Sequence, residues 1–445
     1  RMTDLDAVLD TAQPTFLQQQ AAALLLYQSV LETEAGTAFL KLLQTLTSPQ
    51  LNAVQVLQAY GHWFKTLANL NQSWQFYLVD QILKAENPFT QQAQKIALIE
   101  MPPPLVEAAR QDLRLLWELY RCGGEEVAEW VQKAAELTNA PVVPQFPVKG
   151  VASGAGERQD DRTPDLITKF AQTGDWADLI EPLAAYYQQC GTGIFAAYRA
   201  FRWQDGQICG IAYPDTIRLY ELVGYEAQKE ALLKNTQALL KGYPALHVLL
   251  YGSRGSGKSS LVKSLLHQYG QQGLRLIEVP KADLRELPAI VDRLRQTSLK
   301  FIIFVDDLSF EEDDDAYKAL KVVLEGNLTA KPQNVVVYAT SNRRHLIREF
   351  FADRPRPSDA DEVHAWDTVQ EKLSFSDRFG LTLTFNPADQ ETYLEIVRHL
   401  AQGMAIESQD LQYRALQWAT RHNGRSGRSA RQFVDFLKAE LAAEH

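Results

Sequence analysis

Eight residues constrain this 445-residue chain more than any others. Gly252-Ser253-Arg254-Gly255-Ser256-Gly257-Lys258-Ser259 satisfies G-x-x-x-x-G-K-[ST] at every fixed position. Such a loop is useful only between a buried strand and a helix, and the flanking residues supply both. Val248-Leu249-Leu250-Tyr251 reads as a buried strand, and Leu261, Val262, Leu265, Leu266 and Tyr269 form one apolar helical face. The glycines let the backbone curl so that successive N–H groups converge on phosphate oxygens at a helix N-terminus. Lys258 is expected to reach the β- and γ-phosphates of a nucleotide, and the Ser259 hydroxyl to bind Mg²⁺. Ser260, the next residue, completes the expected binding run 252–260.

A second motif fits the first. Phe301-Ile302-Ile303-Phe304-Val305 is an apolar strand ending in Asp306-Asp307. Asp306 is expected to hold the Mg²⁺ shell together with Ser259, and Asp307 to orient or deprotonate an attacking water. The acidic run 311–315 reads instead as a solvated loop, because consecutive carboxylates do not converge on one ion.

Around these motifs, short apolar runs (247–251, 274–279, 301–305, 335–338 and 381–385) alternate with helical patterns, which predicts a parallel sheet covered by helices. Residues 1–140 read as a helical region. Val54, Leu57, Phe64 and Leu67 mark one helix face, Trp74 to Leu83 a second helix, and 106–120 a third that starts after three prolines. Residues 141–164 have linker composition, and 165–212 read as helices followed by a hairpin around Gln204-Asp205-Gly206. The nucleotide core is placed at 213–385 and a helical lid at 386–445.

Composition narrows the function classes. Lys and Arg number 45 against 55 Asp and Glu, a formal charge of −10, which argues against coating nucleic acid or an anionic membrane through bulk charge. Three cysteines, Cys122, Cys190 and Cys209, are too few and too scattered for a disulfide framework or zinc cluster. No run approaches the roughly 18 apolar residues of a membrane span. With Met2 read as the initiator and Asp4, Asp6 and Asp10 following it, no export signal is expected and the cytoplasm is the expected compartment.

These motifs resemble the AAA+ ATPases over about residues 215–440, and more narrowly an uncharacterised bacterial family of AAA+ proteins. The resemblance implies an α/β parallel-sheet core with a C-terminal helical lid, here preceded by an all-α region. It also implies further roles. Leu222-Val223-Gly224 would line the adenine pocket, and Asn342, ending the strand Val335 to Ser341, would contact the γ-phosphate or attacking water. Arg378, in Ser376-Asp377-Arg378-Phe379-Gly380, would be an arginine finger acting on a neighbouring subunit's ATP. Arg431, followed by Phe433, Phe436 and Leu437 on one apolar face, would be the lid's nucleotide sensor, with Arg428 the alternative one turn earlier. The alternative readings are that Arg378 is a surface arginine pairing with Asp377 and that Arg421, Arg425, Arg428 and Arg431 form a nucleic-acid patch.

One departure concerns rate. Most members end the metal strand in Asp-Glu, and an aspartate at 307 falls short by about a C–C bond, 1.5 Å. Such misplacement of a catalytic group can cost about a hundredfold in rate, so slow turnover is expected. The connection Pro280 to Leu284 carries no aromatic residue, which disfavours polypeptide threading through it. The resulting expectation is an oligomeric, Mg²⁺-dependent ATPase, a ring or partial ring, that remodels or regulates a protein partner held by the N-terminal helices. A slow nucleotide-gated switch and a DNA-associated loader are the alternatives.

Overall fold

The computed structural model describes residues 3–146, 162–309, 315–325, 332–342, 377–422 and 424–443. The chain divides into two compact units, Arg1–Tyr198 and Arg199–His445.

The first unit is all-helical among its described residues. Its core gathers around Phe39, Trp63, Trp74 and Tyr77, with the Phe39 and Trp74 rings 4.1 Å apart and Trp63 edge-on to Trp74 at 5.9 Å. Asn52 caps the helix Ala53–Leu70 by accepting from the N–H groups of Val54 and Gln55. The face this helix buries differs from the expected one. Val56, Ala59, Tyr60, Trp63 and Leu67 are buried, whereas Val54 and Leu57 are exposed. Trp63 decides the rotation, because its large ring packs against both Phe39 and Trp74.

In the second unit the described residues build a seven-stranded sheet in the order β2-β1-β4-β5-β6-β3-β7. The strands are β1 (Ala200–Gln204), β2 (Gln207–Gly210), β3 (Val248–Gly252), β4 (Leu274–Glu278), β5 (Lys300–Val305), β6 (Val335–Ser341) and β7 (Leu381–Phe385). All neighbours run parallel except β1 and β2. Those two are joined by Asp205 and Gly206, both at positive φ, the two-residue turn that matches strand twist. The hairpin therefore lies at the edge of the sheet, with β1 paired to β4, while the helices between Arg162 and Ala197 fall in the first unit. The sequence-based grouping of 165–212 as one segment thus spans the division between units.

Val248, Leu250, Ile302, Phe304, Val336 and Tyr338 pack with the helix Lys258–Tyr269 on one face of the sheet. The alternate residues Leu249, Phe301, Ile303, Val305 and Val337 are buried as well, as a sheet covered on both faces requires. Three helices, Gln390–Leu400, Ser408–Arg421 and Gly427–Ala443, make the lid around Tyr393, Val397, Ala415, Phe433 and Leu437. Phe436 is exposed, contrary to the expected lid face; Ala430, Phe433, Val434 and Leu437 form the buried stripe instead. Among the described residues, no helix is long and apolar enough to cross a membrane.

Candidate nucleotide-binding site

The ends of β3, β5 and β6 meet at one cavity of about 700 Å³, within the range of small-molecule sites. The loop from Gly252 to Gly257 bends as its glycines permit. Gly252 sits at φ +138°, and a Cβ there would lie 2.0 Å from the Phe385 carbonyl oxygen. That close approach lets Ser253 N–H donate to the same carbonyl at 2.9 Å and pins the loop to β7. Gly255, at φ +74°, faces the start of the last lid helix, where Arg428 N–H donates to the Gly255 carbonyl at 3.3 Å. The lid is thereby anchored directly on the loop.

Lys258 is buried beneath the loop and donates to the Gly252 and Ser253 carbonyls at 3.1 and 2.7 Å and to Ser256 Oγ at 3.4 Å. Burial lowers its pKa below the ordinary amine value, opposed by the charges of Asp306 and Asp307, while Arg428 lowers it further. The Lys258 amine is thus within electrostatic reach of both carboxylates. Ser259 Oγ donates to Asp306 Oδ1 at 2.6 Å, and the Thr340 hydroxyl donates to the same oxygen. Asn342 Nδ2 donates to Asp307 Oδ1 at 2.7 Å.

Each expected site residue has a place. Leu222, Val223, Gly224, Arg254 to Ser260, Asp306, Asp307, Asn342 and Arg431 all line the cavity, and so does Arg428. Gly252 and Ser253 lie off its wall and serve as acceptors for Lys258. Arg431 pairs with Glu221, which also lines the cavity, at 3.5 Å. Arg378 stands apart from the cavity and pairs with Glu325, at the end of the helix Asp315–Glu325. The acidic run 311–314 lies outside the described residues.

Thr340 was missed by motif reading. Its signal was available, since it lies two residues before Asn342 on a strand and so shares that residue's face. Tyr225 and Lys229, which follow Leu222-Val223-Gly224, also line the cavity. Tyr225 hydrogen-bonds the Asn386 carbonyl, and the Lys229 ammonium donates to the Leu222 carbonyl and to Glu226, which fixes the segment beside the cavity.

Residues 196–441 match the family described as "Protein of unknown function (DUF815)". The chain belongs to this family. None of the curated proteins compared with it matches. Among solved structures, this DUF815 member is similar to a point mutant of RuvB from Thermotoga maritima, at 19% identity and a TM-score of 0.35. That likeness covers 51% of this chain and spans 66% of the other, just under two thirds of its length. It is also similar to a chain of the HORMA:CdnC:Trip13 complex from E. coli MS115-1, at 16% identity and a TM-score of 0.33, covering 50% of this chain and 92% of that one. The fold of this DUF815 member is a mostly parallel α/β sheet, with a glycine-rich loop leading from β3 into a helix and three helices after β7.

The donor set fits Mg²⁺ with a nucleotide. A hydroxyl and a carboxylate in hydrogen-bond contact are the hard oxygen ligands that Mg²⁺ prefers, and it commonly takes only one or two protein groups beside phosphates. Among the described residues no group of three His, Cys, Asp or Glu converges as a cage of its own.

Proposed function

We propose that this chain binds ATP with Mg²⁺, hydrolyses it slowly and uses the cycle to remodel or regulate a protein partner. The observation that carries the reading is the convergence of Lys258, Ser259, Asp306, Asp307 and Asn342 on one cavity, with the Ser259–Asp306 contact at 2.6 Å. In this reading the phosphates displace the Gly252 and Ser253 carbonyls as partners of Lys258, and the loop N–H groups hold the remaining charge. Leu222, Val223 and Gly224 cover the base. Mg²⁺, when bound by Ser259 and Asp306, neutralises charge on the β- and γ-phosphate oxygens. Asp307 accepts the proton of the water that attacks the γ-phosphorus, the bond to the β-phosphate oxygen breaks, and ADP and phosphate leave. Asn342 orients Asp307 or the water, and Arg431 reports the nucleotide to the lid.

Arg378 has a catalytic purpose only in a neighbour's site, which supports an oligomer, a ring or partial ring. The N-terminal helical unit is the proposed partner-binding part, and the cytoplasm the proposed compartment. The slow-switch reading is favoured by a specific contact: the Asp307 carboxylate is already engaged by Asn342, so it is not fully available as a base.

Steady-state Mg²⁺-ATP hydrolysis across protein concentrations tests the proposal, with wild type, Lys258→Ala, Arg378→Ala and an equimolar mixture of the two variants. Specific activity should rise with concentration, vanish in each variant and return in part in the mixture. Activity that is flat with concentration and indifferent to Arg378→Ala would remove the ring and leave a self-contained ATPase.

A further inference from the structure

We propose that Thr340 is the positioning residue that couples the two carboxylates of the site, setting the rotation of Asp306 and the backbone of Asp307 at once. This rests on the nucleotide reading above and concerns how the chain prepares that site.

Thr340 lies near the end of β6 and is 2% exposed. A threonine hydroxyl has one proton to donate and two lone pairs. Here the proton goes to Asp306 Oδ1, and a lone pair receives the Asp307 N–H at 3.0 Å. Both contacts need the hydroxyl, and an isosteric valine could make neither.

The first contact acts on Asp306. Ser259 Oγ donates to Oδ1 at 2.6 Å, and Asp307 N–H adds a longer contact to the same atom at 3.2 Å. With the Thr340 hydroxyl, three donors converge on one oxygen, while no donor among the described residues is directed at Oδ2. The carboxylate is therefore held in one rotation, with Oδ2 left available to a cation or its water. Groups that orient a metal-side carboxylate in this way typically govern about 10–100-fold of metal affinity.

The second contact acts on Asp307, whose φ is +51°. A side-chain-bearing residue stays in that region only where its surroundings over-determine it. The Thr340 hydroxyl holds its N–H, and Asn342 holds its carboxylate. The next residue, Leu308, donates its N–H to the Thr340 carbonyl at 2.7 Å and accepts from Ser341 Oγ at 2.8 Å. The end of β6 thus grips Asp306, Asp307 and Leu308 in sequence, and Thr340 is the residue that touches all three.

The test titrates a fluorescent ATP analogue onto the full chain, with Mg²⁺ and with EDTA, and follows turnover in the same preparations. The proteins are wild type, Lys258→Ala, Thr340→Val, Thr340→Ala and Thr340→Ser. Thr340→Val and Thr340→Ala should each lose about tenfold or more of the affinity gained from Mg²⁺ while keeping wild-type affinity in EDTA. Thr340→Ser, which retains the hydroxyl, should recover most of that gain. Carrying both hydroxyl-free variants prevents a folding defect peculiar to one from deciding the result. The proposal is overturned if they keep the Mg²⁺ gain, if Thr340→Ser loses as much as they do, or if affinity falls equally in EDTA. Wild type that binds without response to Mg²⁺, or Lys258→Ala that binds like wild type, overturns the nucleotide reading and this proposal with it. The response of wild type to Mg²⁺ separates the two failures.

Discussion

Asp307 combines a short carboxylate with a backbone at φ +51°. Aspartate and asparagine are several-fold enriched among non-glycine residues in that region, and longer side chains gain nothing from it. The aspartate is therefore matched to its backbone, and lengthening it is not a simple repair. Asp307→Glu should give ATP turnover no higher than wild type, and Asp307→Asn should abolish it; a glutamate variant faster than wild type in a steady-state phosphate-release assay would show that side-chain length alone limits the rate. A second residue matters for stability rather than chemistry. Asp112, fully buried in the first unit, accepts from the backbone N–H groups of Leu25, Leu26 and Tyr27 at 2.6–3.1 Å. Asp112→Asn removes the charge and turns an amide N–H₂ toward donors. It should lower unfolding stability by about 1–3 kcal/mol, measured by urea denaturation, with nucleotide affinity unchanged.

The phosphate loop is set by two neighbours far from it in sequence, β7 through Gly252 and the last lid helix through Gly255. Gly252→Ala places a Cβ 2.0 Å from a backbone oxygen, a clash that no rotamer can relieve. It should cost roughly 1–3 kcal/mol of stability and abolish nucleotide binding, checked by thermal denaturation and analogue titration on the same sample. Lid closure has a lighter fastening in Arg431 and Glu221, both partly exposed and 3.5 Å apart. Such pairs contribute about 0–1 kcal/mol, so Glu221→Gln should leave the melting temperature nearly unchanged. If Arg431 acts on nucleotide, Arg431→Ala should instead reduce turnover, and equal effects of the two variants on both measurements would assign the arginine to the ion pair alone. Much of this was legible beforehand. Strands β3, β5, β6 and β7 and the helix Lys258–Tyr269 follow from apolar runs and turn residues that act locally. The buried face of Ala53–Leu70 was not legible, because either of two apolar stripes satisfied the helical period and only packing around Trp63 chose between them.

Each of the two units has its own hydrophobic core, one built on Trp63 and Trp74 and the other on the sheet. The second begins at Arg199, immediately ahead of β1, so a cut there leaves the whole seven-stranded sheet on one side. A fragment of residues 199–445 should unfold cooperatively and bind ATP analogue with the affinity of the full chain. A cut at 213, the expected start of the core, removes β1 and β2 and exposes the edge of β4. That fragment should aggregate, as light scattering would show. A soluble, fully binding 213–445 fragment would reduce the hairpin to an accessory. Partner-dependent stimulation of turnover, by contrast, should require residues 1–198.

The amino-acid sequence by itself determined the glycine-rich loop between a strand and a helix, the pair Asp306-Asp307 at a strand end and the alternation of strand and helix. Each is written in residues close together along the chain, where glycine freedom, side-chain type and hydrophobic period act directly. Only the tertiary structure decided that the hairpin at 200–210 joins the sheet through β4, that Arg378 meets Glu325, and that Thr340 ties the two carboxylates together. Those outcomes depend on strand order and on pairings across tens of residues. A strand's alternation states which face a side chain takes, and its neighbour in the sheet supplies what it touches.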